Sequence, residues 1–414
     1  MYTVFWTLAA ISLEILLPSR GLLLFFLVVV FSVKDILVKP LGLLILYLSA
    51  NYAFGALMFE NGIIKLDKAG LMFERISTTV PHTILLLFMS ALLHYSSRIK
   101  ITTSSFTYRG RLSRILAFVL LVVITLLGFD ASLIGGSGDI RIVPFMLCSI
   151  IFLSDRGSRK RFIFKLIIVL ILASTFAFES KREFAFLVYM LLILYRVRYG
   201  SIKVGIFKIV GLVFVSIGII MAFTILRGYG AYNLTSLQGF GLAMRDLIYS
   251  EMSWEFIASI LEIKSSYFYT VYPIASICDG SFVNWSLLSI LKPLYILPGL
   301  LGLERPESFS TMFTAWYNRG FWLEGGSLPP GLIAEYFFVF RFAGIFIASF
   351  IVVGIVKLFT SMINARGVMV NTGIFGLSFF IFFLRGSGLD LFLIYCVLFS
   401  FFSLVDEGIK AIYK

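Results

Sequence analysis

The chain has 414 residues, of which 60% are hydrophobic and only 14% charged, and its mean hydropathy is +1.00. A soluble domain carries about 25% charged residues, so this chain cannot cover itself with a polar surface and needs the bilayer as its solvent. The net charge of +13 does not indicate a nucleic-acid partner, because the basic residues sit between apolar runs, where they set topology and meet membrane lipid.

Apolar runs of about 17–25 residues are read as membrane spans. In chain order they cover 2–17, 20–36, 40–59, 78–96, 112–129, 142–154, 162–178, 184–196, 204–226, 329–356, 371–385 and 389–405. The runs at 20–36, 142–154 and 184–196 are short. The first run, MYTVFWTLAAISLE, has neither a basic leader nor a small-residue cleavage site, so it reads as a span and not a signal peptide. The three cysteines, Cys148, Cys278 and Cys396, form neither a disulfide framework nor a CxxC zinc site. No internal repeat or low-complexity linker appears, so residues 1–414 are expected to form one transmembrane domain.

Charge sets the orientation. Arg98, Lys100, Arg109, Arg111 and Arg114 form one basic cluster. A second holds Arg156, Arg159, Lys160, Arg161 and Lys165, and a third Arg196, Arg198, Lys203 and Lys208. Two apolar runs separate each cluster from the next, so all three fall on one side, which the positive-inside rule makes cytoplasmic. Lys357, Arg366, Lys410 and Lys414 fall on the same side. The expectation is an all-α polytopic integral membrane protein of about twelve transmembrane helices with both termini cytoplasmic. The outer segments are then 60–77, 128–140, 179–183, a large loop at 227–328, and 385–390. Within that loop, residues 240–263 place Leu247, Trp254, Ile257 and Leu261 on one helical face beside Glu251, Glu255 and Glu262. Residues 282–303 are apolar but broken by Lys292, Pro293 and Pro298; they read as an interfacial or re-entrant piece, with a pair of extra spans as the alternative.

The residues with chemical potential are charges at the outer ends of spans. Lys181 and Arg182 lie in FAFESKREFAF, Arg227 in TILRGYG and Arg385 in FFLRGSGLD. Ionisable groups at such depth are costly and tend to serve function. The planar fork of arginine suits phosphate oxygens, so converging cations here would bind a pyrophosphate at the membrane surface. Snorkelling to lipid headgroups is the competing role. In SLPPGLIAEYFFVFRFAG, Pro329 and Pro330 are expected at the first helical position of a span. Glu335 then lies just over a turn inside, placed either as a general base or as a partner to an arginine or the helix dipole. Arg341 is expected to face the bundle interior. Trp316, Tyr317 and Trp322, with Arg319 among them, offer rings for stacking on sugars or for packing the loop. His82 and His94 share one run and are too far apart for one metal site, so His82 reads as a hydrogen-bonded interfacial histidine. There is no ATP-binding P-loop, no HExxH and no nucleophile elbow. There is no DxD pair either.

Taken together, ESKRE, the run from Tyr272-Pro273 through Trp285 and Pro293 to Ser308-Phe309, SLPPGLIAEYFFVFRFAG and RGSGLDLF resemble the bacterial O-antigen polymerases. The topology likeness covers nearly the whole chain and the motif likeness about a third. The first turn lacks the glycine common in that family, and Phe342-Ala343-Gly344 stands where Phe-Gly is common. The resemblance implies an inverting, metal-independent glycosyltransferase of the membrane type called GT-C, without cofactor, in the bacterial inner membrane. It implies a donor and an acceptor that are both undecaprenyl-pyrophosphate-linked oligosaccharide, meeting at the periplasmic face. Arg182, Arg227 and Arg385 with Lys181 would hold the pyrophosphate, Glu335 would accept the proton, and Arg319, Trp316 and Tyr317 would contact glycan. A separate chain-length regulator protein would be a partner. An O-antigen ligase or a lipid-linked oligosaccharide flippase are the competing expectations.

Overall fold

The computed structural model describes residues 2–32, 39–62, 77–102, 263–282, 307–323, 328, 330–365 and 369–383, with a few single helical positions elsewhere. Among the described residues the structure is helical and contains no strand. We number ten helices: α1 (Tyr2–Leu16), α2 (Arg20–Ser32), α3 (Pro40–Glu60), α4 (Thr79–Ser96), α5 (Ile263–Cys278), α6 (Phe309–Tyr317), α7 (Arg319–Leu323), α8 (Leu332–Phe340), α9 (Phe342–Asn364) and α10 (Met369–Phe383). By contacts the chain divides into two compact units. The first holds residues 1–100, 251–358 and 383–393, and the second 101–250, 359–382 and 394–414.

Three described helices, α3, α4 and α9, are long and apolar enough to cross a membrane. The 21 residues of α3 rise about 31 Å, close to the thickness of a hydrocarbon core. α1 and α2 are apolar but shorter. The expected spans at 2–17, 20–36, 40–59 and 78–96 coincide with α1 to α4, although α2 is described only to Ser32. The spans expected from 112 to 226 and at 389–405 lie outside the described residues, apart from single positions.

In the first unit, α1 to α4 alternate in direction. Thr7 donates to Ser90 at 2.7 Å and His82 meets Glu14 at 2.6 Å, so α1 and α4 run antiparallel. Arg20 pairs with Glu60 at 3.8 Å and Phe26 packs edge-on against Phe54, so α2 and α3 run antiparallel. Local chemistry sets the ends of α3. Pro40 opens the helix where a missing N–H costs nothing. Asn61 closes it, with both its backbone N–H and its amide donating to the Leu57 carbonyl. α3 packs on α4, and Leu44, Ile45 and Leu48 of α3 and Leu85, Phe88 and Met89 of α4 are buried. Val4, Phe5, Leu8 and Ile15 of α1 and Phe342, Phe346 and Phe350 of α9 point outward, as side chains in lipid do.

The run at 329–356 is expected to be one span, and the structure breaks it. α8 ends at Arg341, whose backbone adopts φ 54 and ψ −135, and α9 starts at the next residue. Arg341 is exposed, not interior. Pro330 lies before the helix, with Gly331 as its N-cap, so it does not occupy the first helical position, and Pro329 lies outside the described residues. In the second unit, Thr102 donates through its backbone N–H and its hydroxyl to Asn364, at 2.8 and 2.9 Å. α10 packs there on Phe359 and Ile363.

Candidate functional site

The described part of the site is organised around α5, which falls in the segment expected to be a large loop and packs against α3, α4 and α8. Pairing of Phe59 and Gly55 with Tyr267, and of Tyr52 with Thr270, aligns α5 antiparallel to α3. Gly55 permits this approach, since a Cβ there would lie 2.5 Å from the Cβ of Tyr267.

One side of α5 joins a buried polar network. Glu14, near the end of α1, is fully buried, as is His82 near the start of α4. The Glu14 carboxylate accepts the backbone N–H of Ser19 at 2.7 Å and of Leu22 at 3.2 Å. Those two N–H groups open α2, so Glu14 caps that helix from the preceding one and sets its charge against the positive end of the helix dipole. His82 Nδ1 lies 2.6 Å from Glu14 Oε1, and His82 Nε2 lies 2.7 Å from the Tyr267 hydroxyl. A neutral ring donating from Nδ1 to the carboxylate and accepting the Tyr267 O–H at Nε2 satisfies each of these groups. His82 is thus hydrogen-bonded as expected, and it is buried among the helices.

The other side of α5 carries aromatic residues. Tyr272 is buried and contacts Phe313, Trp316 and Tyr317 of α6 at centroid distances of 5.3–6.2 Å. Phe268 stacks on Tyr272, and Phe282 packs edge-on to Trp316 at 5.1 Å. Trp316 is backed by this layer and is 36% exposed. Ser308 caps α6, its hydroxyl accepting the Thr311 N–H at 3.1 Å. Asn318 accepts the Phe321 N–H and starts α7, which brings exposed Arg319 and Phe321 beside the Trp316 turn.

α6 is tied to the start of α8. Ser310 Oγ donates to the Leu328 carbonyl at 2.5 Å, and Leu328 N–H donates to Thr314 Oγ1 at 2.8 Å. Gly331 then meets α5 so closely that a Cβ would lie 2.7 Å from Thr270 Oγ1. Four residues later comes Glu335, buried at 8% exposure in the first turn of α8, where the helix dipole favours a carboxylate.

Of the residues singled out from the sequence, the structure describes Trp316 and Tyr317 on α6, Arg319 on α7 and Glu335 on α8. Lys181, Arg182, Arg227 and Arg385 lie outside the described residues, as do the other outer carboxylates Glu183, Glu324 and Asp390. No group of three metal-ligating side chains occurs among the described residues. Glu14 and Tyr267 were missed. An acid near the end of a run as apolar as 2–17 is a signal in its own right, whereas nothing local marks Tyr267. Comparison with family models, curated proteins and solved structures returns no match.

Proposed function

We propose that this chain is a membrane glycosyltransferase of the GT-C type that joins undecaprenyl-pyrophosphate-linked repeat units at the periplasmic face of the bacterial inner membrane. One observation carries the reading. The aromatic layer under Trp316 and the helix turn holding Glu335 rest on the same segment of α5, at Tyr272 and Thr270. A flat, firmly backed indole and a carboxylate carried on helices that share this support suit a sugar ring and one of its hydroxyls. Glu335 takes the proton of the acceptor hydroxyl as that oxygen attacks the anomeric carbon. The bond from this carbon to the donor's pyrophosphate breaks with inversion. Lys181, Arg182, Arg227 and Arg385 neutralise the departing pyrophosphate.

The test is to incubate the purified protein with undecaprenyl-pyrophosphate repeat units, without nucleotide or added divalent metal, and to separate the products on a gel. A ladder of lengthening glycans is expected. Glu335→Gln should remove it, since a general base contributes about 10²–10⁴ in rate. A full ladder from folded Glu335→Gln protein would discard Glu335 as the base. No ladder from folded wild-type protein would discard the polymerase reading. Adding lipid A core as acceptor would then separate a ligase from a flippase.

A further inference from the structure

We infer that Glu14, His82 and Tyr267 are positioning residues. In this arrangement a neutral His82 bridges a fixed carboxylate in the bundle to the hydroxyl of Tyr267 and so holds α5 in its working place.

The bridge is anchored firmly at one end. Glu14 is held by two backbone N–H groups of the α1–α2 turn as well as by His82, at 2.6–3.2 Å. At the other end is a single hydroxyl on α5, 185 residues further along the chain from His82. Donor and acceptor counting favours a neutral ring. With a neutral ring, Nδ1–H meets Glu14 and Nε2 takes the Tyr267 O–H. With a charged ring, Nε2–H would face the hydroxyl and turn its proton away from its acceptor. Among the described residues, Glu14 from α1 and Tyr267 from α5 face the ring, and Glu60 of α3, paired with Arg20 of α2, acts on Tyr267. Each of the three residues is at most 2% exposed, so none of them reaches a substrate in this arrangement.

Their effect therefore passes through α5. One turn after Tyr267, Thr270 sets the Gly331 cap of the helix that carries Glu335, and Tyr272 backs Trp316. Gly55 lets α5 approach α3 but offers no directional contact, so the hydrogen bond at Tyr267, together with that between Tyr52 and Thr270, fixes how far α5 slides and turns. The inference rests on the proposed glycan site for its consequence, but not for the bridge itself.

The experiment measures amide hydrogen exchange across α5 and the start of α8, together with kcat and KM for ladder formation, on the full-length protein in lipid nanodiscs. The variants are Tyr267→Phe, His82→Ala and His82→Gln. Tyr267→Phe keeps the ring on Phe59 and Gly55 and removes only the hydroxyl, so it guards against simple misfolding of His82→Ala. Both should speed exchange in α5 and at residues 331–335 by about tenfold, the effect of losing one hydrogen bond in a buried network, and should lower kcat/KM. His82→Gln retains one donor and one acceptor without charge and should restore most of both. Unchanged exchange in Tyr267→Phe and His82→Ala would overturn the bridge. Faster exchange with unchanged kcat and KM would reduce it to a stabilising contact. A His82→Gln protein as impaired as His82→Ala would overturn the neutral ring. If wild-type protein forms no ladder, the proposed function falls, and the exchange data still decide whether the bridge holds α5.

Discussion

At the scale of single residues, Glu14 is the side chain on which most local order depends. It is fully buried, and three donors converge on it from α2 and α4. Truncation would leave those donors without an acceptor, at about 1–3 kcal/mol for each unsatisfied group. Glu14→Ala should therefore lower the thermal midpoint in detergent far more than loss of the Thr7–Ser90 pair on the same two helices. Removing both members of that pair, as Thr7→Val with Ser90→Ala, leaves no orphan and should be nearly neutral. Equal losses from the two changes would show that Glu14 is not the acceptor described. Glu14→Gln should fall between them, because its amide nitrogen must face either Leu22 N–H or the Ser19 and His82 donors. The sequence marks Glu14 as costly, but nothing in it pairs Glu14 with residue 82 or residue 267. Those links depend on packing between helices that are distant in the chain, and span-by-span reading is blind to them. Glu335 and Trp316 could be singled out from the sequence because each sits in a compact local motif, a proline-glycine turn in one case and an aromatic turn in the other.

Helices were legible where apolarity alone decides. The runs at 40–59 and 78–96 match α3 and α4 to within a residue at each end, since length and hydropathy set a span and Pro40 and Asn61 mark where α3 stops. The run at 329–356 misled for the same reason. Its apolarity is continuous, while the break at Arg341 is a matter of dihedral angles. An arginine with φ 54 and ψ −135 is in a region that L-residues avoid, and such strain costs about 1–3 kcal/mol. The break lets α8 pack on α5 while α9 takes a course of its own. Gly344 sits against the Tyr336 carbonyl, which closes the joint between the two helices. Arg341→Gly should relieve the strain and raise the thermal midpoint, by an amount corresponding to about 1 kcal/mol or more. Arg341→Val should lower it, because a β-branched residue tolerates positive φ least. Equal midpoints for the two would mean that the helix runs straight through. If the joint also orients Glu335, Arg341→Val should depress ladder formation more than its loss of stability explains.

At the scale of the whole molecule, the alternation of α1 to α4 meets the alternation of charge along the sequence. The basic clusters assign the start of α1 and the end of α4 to the cytoplasm, and the end of α3 to the outside. The hydrogen bonds and ring contacts independently run α1 and α3 one way and α2 and α4 the other. This geometry gathers Glu14, Arg20, Glu60, His82 and Tyr267 at one end of the bundle. That end is the outer one by the charge rule, and under the proposed function it is where a donor carried on a periplasmic lipid would arrive. The four cations proposed to meet its pyrophosphate come from turns assigned to the same side, and the assignment of sides can be tested directly. In a background with Cys148, Cys278 and Cys396 replaced by serine, single cysteines are placed at the exposed positions Asn61 and Ser97, which follow α3 and α4. A membrane-impermeant maleimide applied to spheroplasts should label Asn61→Cys at once and Ser97→Cys only after permeabilisation. The reverse pattern would turn the molecule over. Arg182, Arg227 and Arg385 would then face the cytoplasm, and chemistry on a periplasmic donor would be impossible for them. Labelling of both from outside would break the alternation from which the twelve-span reading derives.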